Sequence, residues 1–419
     1  MKLLKTALLG VTLAVAATAA TAQNEQYMPV LSYRVGPYAA GGSGYYGGAI
    51  DYFTLVNMTG GINGVQLKWE ECETEYNASK GVECYERLKK KNGGATTVEP
   101  LSTGIAYGLF DRVATDKIPM TTFGYGLASA ADGRVYDWVF PIGTTYWGQM
   151  AAMIAYLGQK EGGVDKLKGK KIGFVYHDSA FGKEPIPVLD ALSARYGFDV
   201  LKVAVTPPGN TQESQWLQIR QAKPDYVIMW TFGVMSTVAL KTAAKTGFPT
   251  DKLLGVWWAG SEEDVIPAGD AAKGYVSASF TATGGVNFPV MRDVKNKVYG
   301  AKKGNLEDPT RFGNVMYTRG LVYGMIIVEA MRVAQAKYGK GKVSTPDQVR
   351  WGLEHLDLSE SRIKELGAGG LFPPIKTSCV DHEGSGMVKF QQWDGHAFKQ
   401  VSPFMAGDRA MVRKMVEET

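Results

Sequence analysis

The sequence predicts an α/β protein of two lobes, each an open, mostly parallel sheet flanked by helices. Apolar, β-rich runs alternate with helical segments of about 10–15 residues, the pattern of parallel β-α-β units. This alternation occurs twice, on either side of Lys168-Gly169-Lys170. Glycine makes up 51 of the 419 residues, which fits many tight strand–helix turns. A chain of this length is long enough for two or three domains.

The first series of predicted elements ends near residue 140. Each strand is an apolar run bounded by glycine, proline or polar residues, and Ser102 is a predicted N-cap. The predicted strands are 28–35, 65–69, 95–98, 118–122 and 138–140. The predicted helices are 45–57, 79–91 and 102–115, and residues 38–44 are predicted to form a glycine-rich loop.

The second series begins at residue 171 and follows the same pattern. The predicted strands are 171–176, 200–205, 226–230 and 253–258, and the predicted helices are 183–196, 212–221 and 235–246. A long helix over 312–338 follows. The chain then ends in a predicted β-hairpin, 387–392 with 397–401, which turns at Asp394-Gly395.

The first 22 residues have the pattern of a secretory signal peptide. Two lysines precede an apolar run over residues 7–17, and Ala20 and Ala22 supply the small residues that signal peptidase needs. We therefore expect cleavage before Gln23 and export to a periplasm. No cysteine follows the apolar run to carry a lipid anchor, and no later stretch reaches the ~18 apolar residues of a membrane span.

Charge and cysteine content narrow the possible partners. Lys plus Arg number 46 against 41 acidic residues, a net charge of +5, which does not favour a nucleic-acid partner. Cys72 and Cys84 are close enough in sequence for a disulfide in an oxidising compartment, which leaves Cys379 single; two buried thiols are the alternative. The turn from Cys379 to Glu383 is not predicted to bind a metal, and no cofactor is expected.

Several short motifs occur in a characteristic order along the chain after the export signal. They are Gly36-Pro37, Gly47-Gly48-Ala49, Thr59 to Gly64, Leu101 to Gly104, Tyr176-His177-Asp178, Pro224 to Val227 and Gly269 to Gly274. Together they resemble the periplasmic solute-binding proteins of ABC importers, of the branched-chain amino-acid (Leu/Ile/Val-binding) type.

The resemblance implies a type I periplasmic binding fold with three crossovers between its lobes. We expect an N-terminal lobe of residues 23–143 and 282–372, and a C-terminal lobe of residues 144–281 and 373–419. A monomer of this kind holds a small ligand between the lobes and delivers it to the membrane permease of an ABC importer. No catalysis is expected.

In the N-terminal lobe the resemblance assigns ligand contacts residue by residue. Ser102 and Thr103 match hydroxyls that hold the ligand carboxylate at the start of the third helix, where free N–H groups favour anions. The alternative for Ser102 is an N-cap alone. Tyr125 matches a loop that lines the cleft, and Tyr146 and Trp147 match the wall after the first crossover.

In the C-terminal lobe the sequence departs from the amino-acid binders. Phe181 and Phe232 stand where those proteins have tyrosines, and Trp257 stands where they have the acid that pairs with the ligand's ammonium. An unpaired buried charge costs several kcal/mol, so the sequence predicts an aromatic or other apolar carboxylate as ligand. The alternative is a branched-chain or other amino acid, with Glu262 or Glu263 as the ammonium partner.

Two further assignments are less direct. Arg34, at the end of the first strand, is a candidate second clamp for a carboxylate, because a guanidinium presents paired donors; bridging of surface acids is its alternative role. Tyr38 is a candidate for the rim of the cleft. Core packing at a strand end is the alternative for Trp257 and Trp258.

An enzyme is the competing class of function. Residues 42–47 satisfy G-x-G-x-x-G, and Glu70-Glu71 end the next strand, as in a dinucleotide fingerprint. Gly36 and Pro37 separate the first strand from these glycines, so an NAD-dependent oxidoreductase is only a distant alternative. A ligand sensor on the same scaffold is a further possibility.

Overall fold

The computed structural model describes residues 24–283 and 287–419. The predicted signal peptide lies outside this part of the chain. The strands are β1 (Glu25–Ser32), β2 (Gln66–Glu73), β3 (Met120–Thr121), β4 (Val139–Phe140), β5 (Lys171–His177), β6 (Asp199–Val205), β7 (Tyr226–Trp230), β8 (Leu253–Gly255), β9 (Val276–Ser279), β10 (Asp357–Leu358), β11 (Ile375–Lys376), β12 (Lys389–Trp393) and β13 (Phe398–Gln400).

Helices connect and cover these strands. They are α1 (Ala39–Met58), α2 (Ala78–Leu88), α3 (Thr103–Asp116), α4 (Tyr146–Glu161), α5 (Ala180–Lys183), α6 (Ile186–Tyr196), α7 (Glu213–Ala222), α8 (Val234–Lys245), α9 (Glu262–Val265), α10 (Pro289–Asp293), α11 (Val315–Tyr338), α12 (Pro346–Glu354), α13 (Glu360–Glu365) and α14 (Arg409–Glu418). Among the described residues, no helix is long and apolar enough to cross a membrane.

The strands of the first series form a parallel sheet. β1 pairs with β2, and β3 pairs with β4, both in parallel register. Single parallel bridges from Val30 to Glu99 and from Val98 to Met120 join the two pairs. The strand predicted at 95–98 is therefore reduced to these bridges in the middle of the sheet.

The second sheet has seven strands in the order β13-β12-β9-β8-β7-β5-β6. β5 to β9 are parallel neighbours, while β12 is antiparallel to β9 and β13, which confirms the predicted terminal hairpin. The chain crosses to the second sheet after β4, leaves it after β9 for α10 to α13 and the β10–β11 pair, and returns to it at β12. The predicted two-lobed, mostly parallel α/β fold is confirmed.

The glycine-rich segment after β1 is helical, so the predicted loop over 38–44 is wrong. α1 begins at Ala39, and its glycines let the backbone approach neighbouring elements closely. A Cβ on Gly42 would lie 2.0 Å from the Tyr33 carbonyl oxygen, and one on Gly48 would lie 2.0 Å from that of Tyr317. The G-x-G-x-x-G pattern thus serves helix packing, and it forms no phosphate-binding loop.

The strand predicted over 253–258 is too long. β8 ends at Gly255, and Trp257–Ala259 form a 3₁₀ turn. The cause is Tyr275, whose hydroxyl donates to the Ala259 carbonyl at 2.9 Å and occupies the space where a Cβ on Gly255 would stand. The turn sends the two tryptophan rings in different directions.

The predicted disulfide is confirmed. Cys72 in β2 is bonded to Cys84 in α2, with their Cα atoms 5.8 Å apart. Cys379 is a free and exposed cysteine. The bond links β2 to α2, the helix that follows it.

Candidate functional site

The start of α3 presents two hydroxyls at the edge of the first sheet. The Ser102 Oγ accepts a hydrogen bond from the Ile105 N–H at 3.4 Å, so Ser102 is the N-cap. The Thr103 hydroxyl is buried and has no hydrogen-bond partner among the described residues. Leu101 has a positive φ of 43°, and its N–H donates to the Tyr125 hydroxyl at 2.7 Å. Tyr125 therefore holds the backbone that presents these hydroxyls.

Tyr76, which the sequence did not single out, forms one wall beside Ser102. Its ring centroid lies 4.7 Å from that of Tyr38, 5.0 Å from Tyr33 and 5.9 Å from Phe232. Burial raises the pKa of Tyr76, and hydrogen bonding with Ser102 opposes this rise. The only sequence signal is the position of Tyr76 just beyond the carboxyl end of β2, where open sheets bind ligands.

Tyr146, Phe181 and Trp230 form the opposite wall, beside Thr103. The Tyr146 ring centroid lies 5.6 Å from Phe181 and 5.3 Å from Trp230. Burial raises the pKa of Tyr146 well above its usual value. Tyr146 and Phe181 thus lie together, as the sequence predicts.

Trp147 points to a different neighbour, Glu184. Its indole N–H donates to the Glu184 carbonyl at 3.0 Å, while the Glu184 carboxyl accepts from the Ala128 N–H at 2.8 Å. Burial raises the pKa of Glu184 to about 8, so this carboxyl is mostly neutral at pH 7 and is a poor counter-ion for an ammonium.

Tyr38 and Phe232 bring the two lobes into contact. Their rings are stacked with centroids 5.3 Å apart, and the Tyr38 hydroxyl lies 2.7 Å from His177 Nε2. The other ring nitrogen of His177 lies 2.8 Å from the Ser179 Oγ. Burial lowers the pKa of His177 to about 4, so this histidine is neutral.

The two tryptophans of the 257–259 turn have different surroundings. The Trp258 ring centroid lies 6.1 Å from Tyr125, 6.2 Å from Phe232 and 6.2 Å from Tyr45. Trp258 therefore joins the aromatic side chains of both lobes at the cleft.

Trp257 is fully buried and packs among residues at the crossover. Its ring stacks on Phe280 with centroids 3.4 Å apart and meets the edge of Phe123 at 5.5 Å. The Arg319 guanidinium lies 4.4 Å from the ring centroid. A Cβ on Gly124 would lie 2.6 Å from Trp257, so this loop approaches the indole closely.

The acids after the tryptophans bind the opposite lobe. The Glu263 Oε1 accepts from Arg311 at 2.6 Å and from the Asn314 side chain at 3.3 Å. The Glu262 carboxylate accepts from the Val315 N–H at 2.8 Å. One oxygen, Glu263 Oε2, is buried without a hydrogen-bond partner among the described residues.

A groove of about 600 Å³, counted to its open mouth, lies between the lobes beside Tyr38. Both lobes contribute to it, and most of its surface is apolar. Its lining residues are Pro37, Tyr38, Ala40, Gly41, Phe232, Gly233, Val234, Thr237, Ser261, Glu263, Asp264 and Pro267.

Arg34 is engaged away from these hydroxyls. Its guanidinium forms a two-point contact with the Glu71 carboxylate and donates to the Asn305 side chain at 2.6 Å. The structure therefore shows the alternative role, a bridge to an acid at the end of β2, instead of a carboxylate clamp.

Consecutive contacts join seven side chains, five of them aromatic, into an aromatic cage where the two lobes meet. Its members are Ser102, Tyr76, Tyr38, His177, Phe181, Tyr146 and Thr103. Hydroxyl groups lie at the α3 end of this cage, and neutral His177 lies at the other end. Such an arrangement donates hydrogen bonds at one end and offers aromatic surfaces along both sides.

The profile of the periplasmic binding protein family matches residues 25–397. No curated protein matches the sequence significantly. A solved structure described as an ABC transporter permease from the Pseudomonas fluorescens group is 44% identical, with a TM-score of 0.88 over 94% of this chain and 96% of that one.

Two more distant structures share the fold. A branched-chain amino acid ABC transporter protein from Thermus thermophilus, with bound valine, is 21% identical, with a TM-score of 0.79 over 95% of this chain and 100% of that one. An ABC transporter solute-binding protein from R. palustris, in complex with benzoate, is 17% identical, with a TM-score of 0.72 over 92% and 98%.

Proposed function

This chain belongs to the periplasmic binding protein family, and on that premise we propose that it captures a small carboxylate between its lobes for an ABC importer. The favoured ligand is an aromatic or apolar organic acid. The ligand is bound and handed to a membrane permease without a chemical step. Export to the periplasm, a monomeric state and the lobe boundaries at 143/144, 281/282 and 372/373 are parts of this proposal.

The observation that carries the proposal is a set of buried hydrogen-bond donors near the cleft that lack a partner in the described part of the chain. Buried donors without a partner among the described residues include the Thr103 hydroxyl and the indole N–H groups of Trp230 and Trp258. A carboxylate accepts hydrogen bonds and suits such donors, whereas an ammonium can only donate. These donors therefore favour a ligand with a carboxylate group.

The aromatic walls support the same class of ligand. Tyr76 and Tyr38 on one side, and Tyr146 and Phe181 on the other, offer ring faces and edges. An aromatic pair contributes about 0.5–1.5 kcal/mol beyond its area burial. An acid with an aromatic body gains this contribution, and a bulky aliphatic body gains the burial of its apolar area.

A branched-chain or other amino acid is the second candidate. The buried Glu263 Oε2 lacks a hydrogen-bond partner among the described residues and belongs to a residue of the inter-lobe groove. It is the acceptor best placed to receive an ammonium. The structure with bound valine from Thermus thermophilus shows that this fold accommodates an amino acid.

Calorimetry with matched pairs tests the two candidates. Phenylpyruvate is compared with phenylalanine, and 4-methyl-2-oxopentanoate with leucine, with benzoate and valine as additional probes. The proposal predicts that each deaminated acid binds more tightly than its amino acid. Tight binding of leucine, valine or phenylalanine, with the deaminated acids silent, would establish the second candidate instead.

A further inference from the structure

Tyr76 occupies a central place in the aromatic cage. It lies between Tyr38, which reaches across to His177, and Ser102, which caps α3. It also meets Phe232 of the other lobe at 5.9 Å between centroids. Tyr76 thus contacts Ser102 at the start of α3 and also the aromatic side chains of the opposite lobe.

The backbone that carries Tyr76 has an unusual conformation. Glu75 and Tyr76 have positive φ values of 52° and 59°, which is rare for bulky residues. The Tyr76 N–H donates to the Thr74 hydroxyl at 3.2 Å. That hydroxyl and the Thr74 N–H both donate to the Ser32 carbonyl, at 2.9 and 2.7 Å. Two consecutive left-handed residues persist where the surroundings hold them.

The disulfide encloses this turn. Cys72 lies in β2 before it and Cys84 lies in α2 after it, so Tyr76 is inside the closed ring. α2 is itself packed on α3, because Gly81 lets Ile105 approach to within 2.5 Å of the position a Cβ would take. The disulfide and α2 therefore connect the turn that carries Tyr76 to α3, the helix that presents Ser102 and Thr103.

We propose that Tyr76 is a specificity-determining residue of the ligand cleft, and that the Cys72–Cys84 ring holds it in place, so that ligand affinity depends on the disulfide. This inference rests on the proposed binding function. Tyr76 supplies an aromatic surface to the ligand and orients the Ser102 hydroxyl. Reduction leaves the sheet paired but releases the turn, and Tyr76 then loses its position.

The test combines reduction with substitution of Tyr76. Affinity for phenylpyruvate is measured for the wild type, Tyr76→Phe and Tyr76→Leu, each oxidised and each reduced with a phosphine. We expect Tyr76→Leu to lose about tenfold in affinity, since it loses the ring and the hydroxyl. Tyr76→Phe keeps the ring and should lose only about threefold.

Reduction should lower the affinity of the wild type about fivefold or more. It should leave the affinity of Tyr76→Leu unchanged, because the disulfide acts on affinity through Tyr76, which this variant lacks. Tyr226→Phe, on the other sheet and hydrogen-bonded to Glu161, is the matched control and should behave as the wild type. Circular dichroism confirms that each sample is folded, and the oxidised variants are decisive even if a reduced sample unfolds.

Two results would overturn the inference: unchanged affinity in oxidised Tyr76→Leu, or equal losses on reduction in the wild type and in Tyr76→Leu. Failure of the proposed function has a different signature. The oxidised wild type would then prefer phenylalanine or valine to phenylpyruvate, and the same cycle is measured with valine.

Discussion

The Tyr38 hydroxyl lies 2.7 Å from His177 Nε2, and this hydrogen bond joins a residue that follows β1 of the first sheet to the last residue of β5 in the second. The stacked rings of Tyr38 and Phe232 lie beside it. His177 is buried where the two lobes meet, and the effect of burial outweighs the charge of the adjacent Asp178, so the imidazole favours its neutral form.

Acid should weaken the native structure through His177. Its pKa is lowered from 6.5 to about 4, so between these values the unfolded chain binds a proton that the folded chain does not. The contribution of His177 to the free energy of unfolding should fall as the pH drops from 6.5 to 4, by up to roughly 3 kcal/mol. Above pH 6.5 the histidine should have no effect.

Urea unfolding at intervals from pH 4 to 7 measures this dependence. Buried Glu184, Glu262 and Asp264 titrate in the opposite sense, because burial raises their pKa values. The measure is therefore the difference in free energy of unfolding between the wild type and His177→Gln, which should change in favour of the variant as the pH falls. His355→Gln, at an exposed histidine, is the matched control. A His177→Gln profile with the wild-type slope would assign the acid sensitivity to other groups.

The hydroxyls of α3 should separate into a capping role and a ligand role. Thr103→Val keeps the shape of the side chain and removes a hydroxyl that has no partner among the described residues. Because a hydrogen bond to a charged group contributes about 1.5–3 kcal/mol, carboxylate affinity should fall at least tenfold, with little change in stability. Ser102→Ala should in addition lower the free energy of unfolding by about 0.5–2 kcal/mol, through loss of the cap.

Calorimetry and urea unfolding of the same samples check both effects. Thr115→Val removes an exposed hydroxyl from the same helix, where it donates to the Asp111 carbonyl, and should bind like the wild type. Wild-type affinity in a Ser102→Ala, Thr103→Val double variant would remove these hydroxyls from the site.

The disulfide should contribute measurably to stability. A ring closed across 12 positions is expected to add roughly 2–3 kcal/mol to the free energy of unfolding. The variant with Cys72→Ala and Cys84→Ala should lose this amount in urea unfolding, while Cys379→Ser, at an exposed free thiol, should not. Mass spectrometry of the unreduced exported protein should find the 72–84 bond; two free thiols there would contradict it.

Local patterns were enough to predict most of the fold. β7 covers the predicted span 226–230, because a fully buried parallel strand is a continuous apolar run. The N-cap of α3 was equally readable, since Ser102 precedes a helical pattern directly. The start of α1 was not readable, because glycines have low helix propensity and only contacts with Tyr33 and Tyr317 favour a helix there.

The site was predicted in part for a similar reason. Ser102, Thr103, Tyr146 and Phe181 follow strands directly or begin helices, so the fold alone places them near the cleft. The position of Tyr76 depends on two left-handed residues and on the Cys72–Cys84 disulfide. No periodic pattern in the sequence indicates that position.

The two tryptophans could not be told apart either. Their directions are set by the 3₁₀ turn, and that turn depends on Tyr275, which is far away in sequence. The ion pair of Arg34 could not be predicted for another reason. Its partner Glu71 lies on the neighbouring strand β2, and the sequence does not show the register in which β1 and β2 pair.

The last prediction separates the two classes of ligand by substitutions around the tryptophans. Trp258 meets Tyr125 and Phe232 at the cleft, so Trp258→Leu should lower affinity for phenylpyruvate about tenfold or more. Trp257→Glu would restore the acid that amino-acid binders have at this position, so the sequence alone predicts that it favours amino acids. In the structure Arg319 lies beside that ring, so a carboxylate there would pair with the guanidinium, and the preference for the deaminated acid should persist.

Glu263→Gln gives the complementary measurement, since Glu263 holds the acceptor best placed for an ammonium. It should leave phenylpyruvate affinity within about twofold of the wild type, because a bound anion gains nothing from a nearby carboxylate. If the natural ligand is an amino acid, the same substitution should cost at least tenfold, as expected when a buried charge loses its partner. Calorimetry with phenylpyruvate and phenylalanine on Glu263→Gln and Trp258→Leu therefore distinguishes the classes, because each class predicts a loss in a different variant.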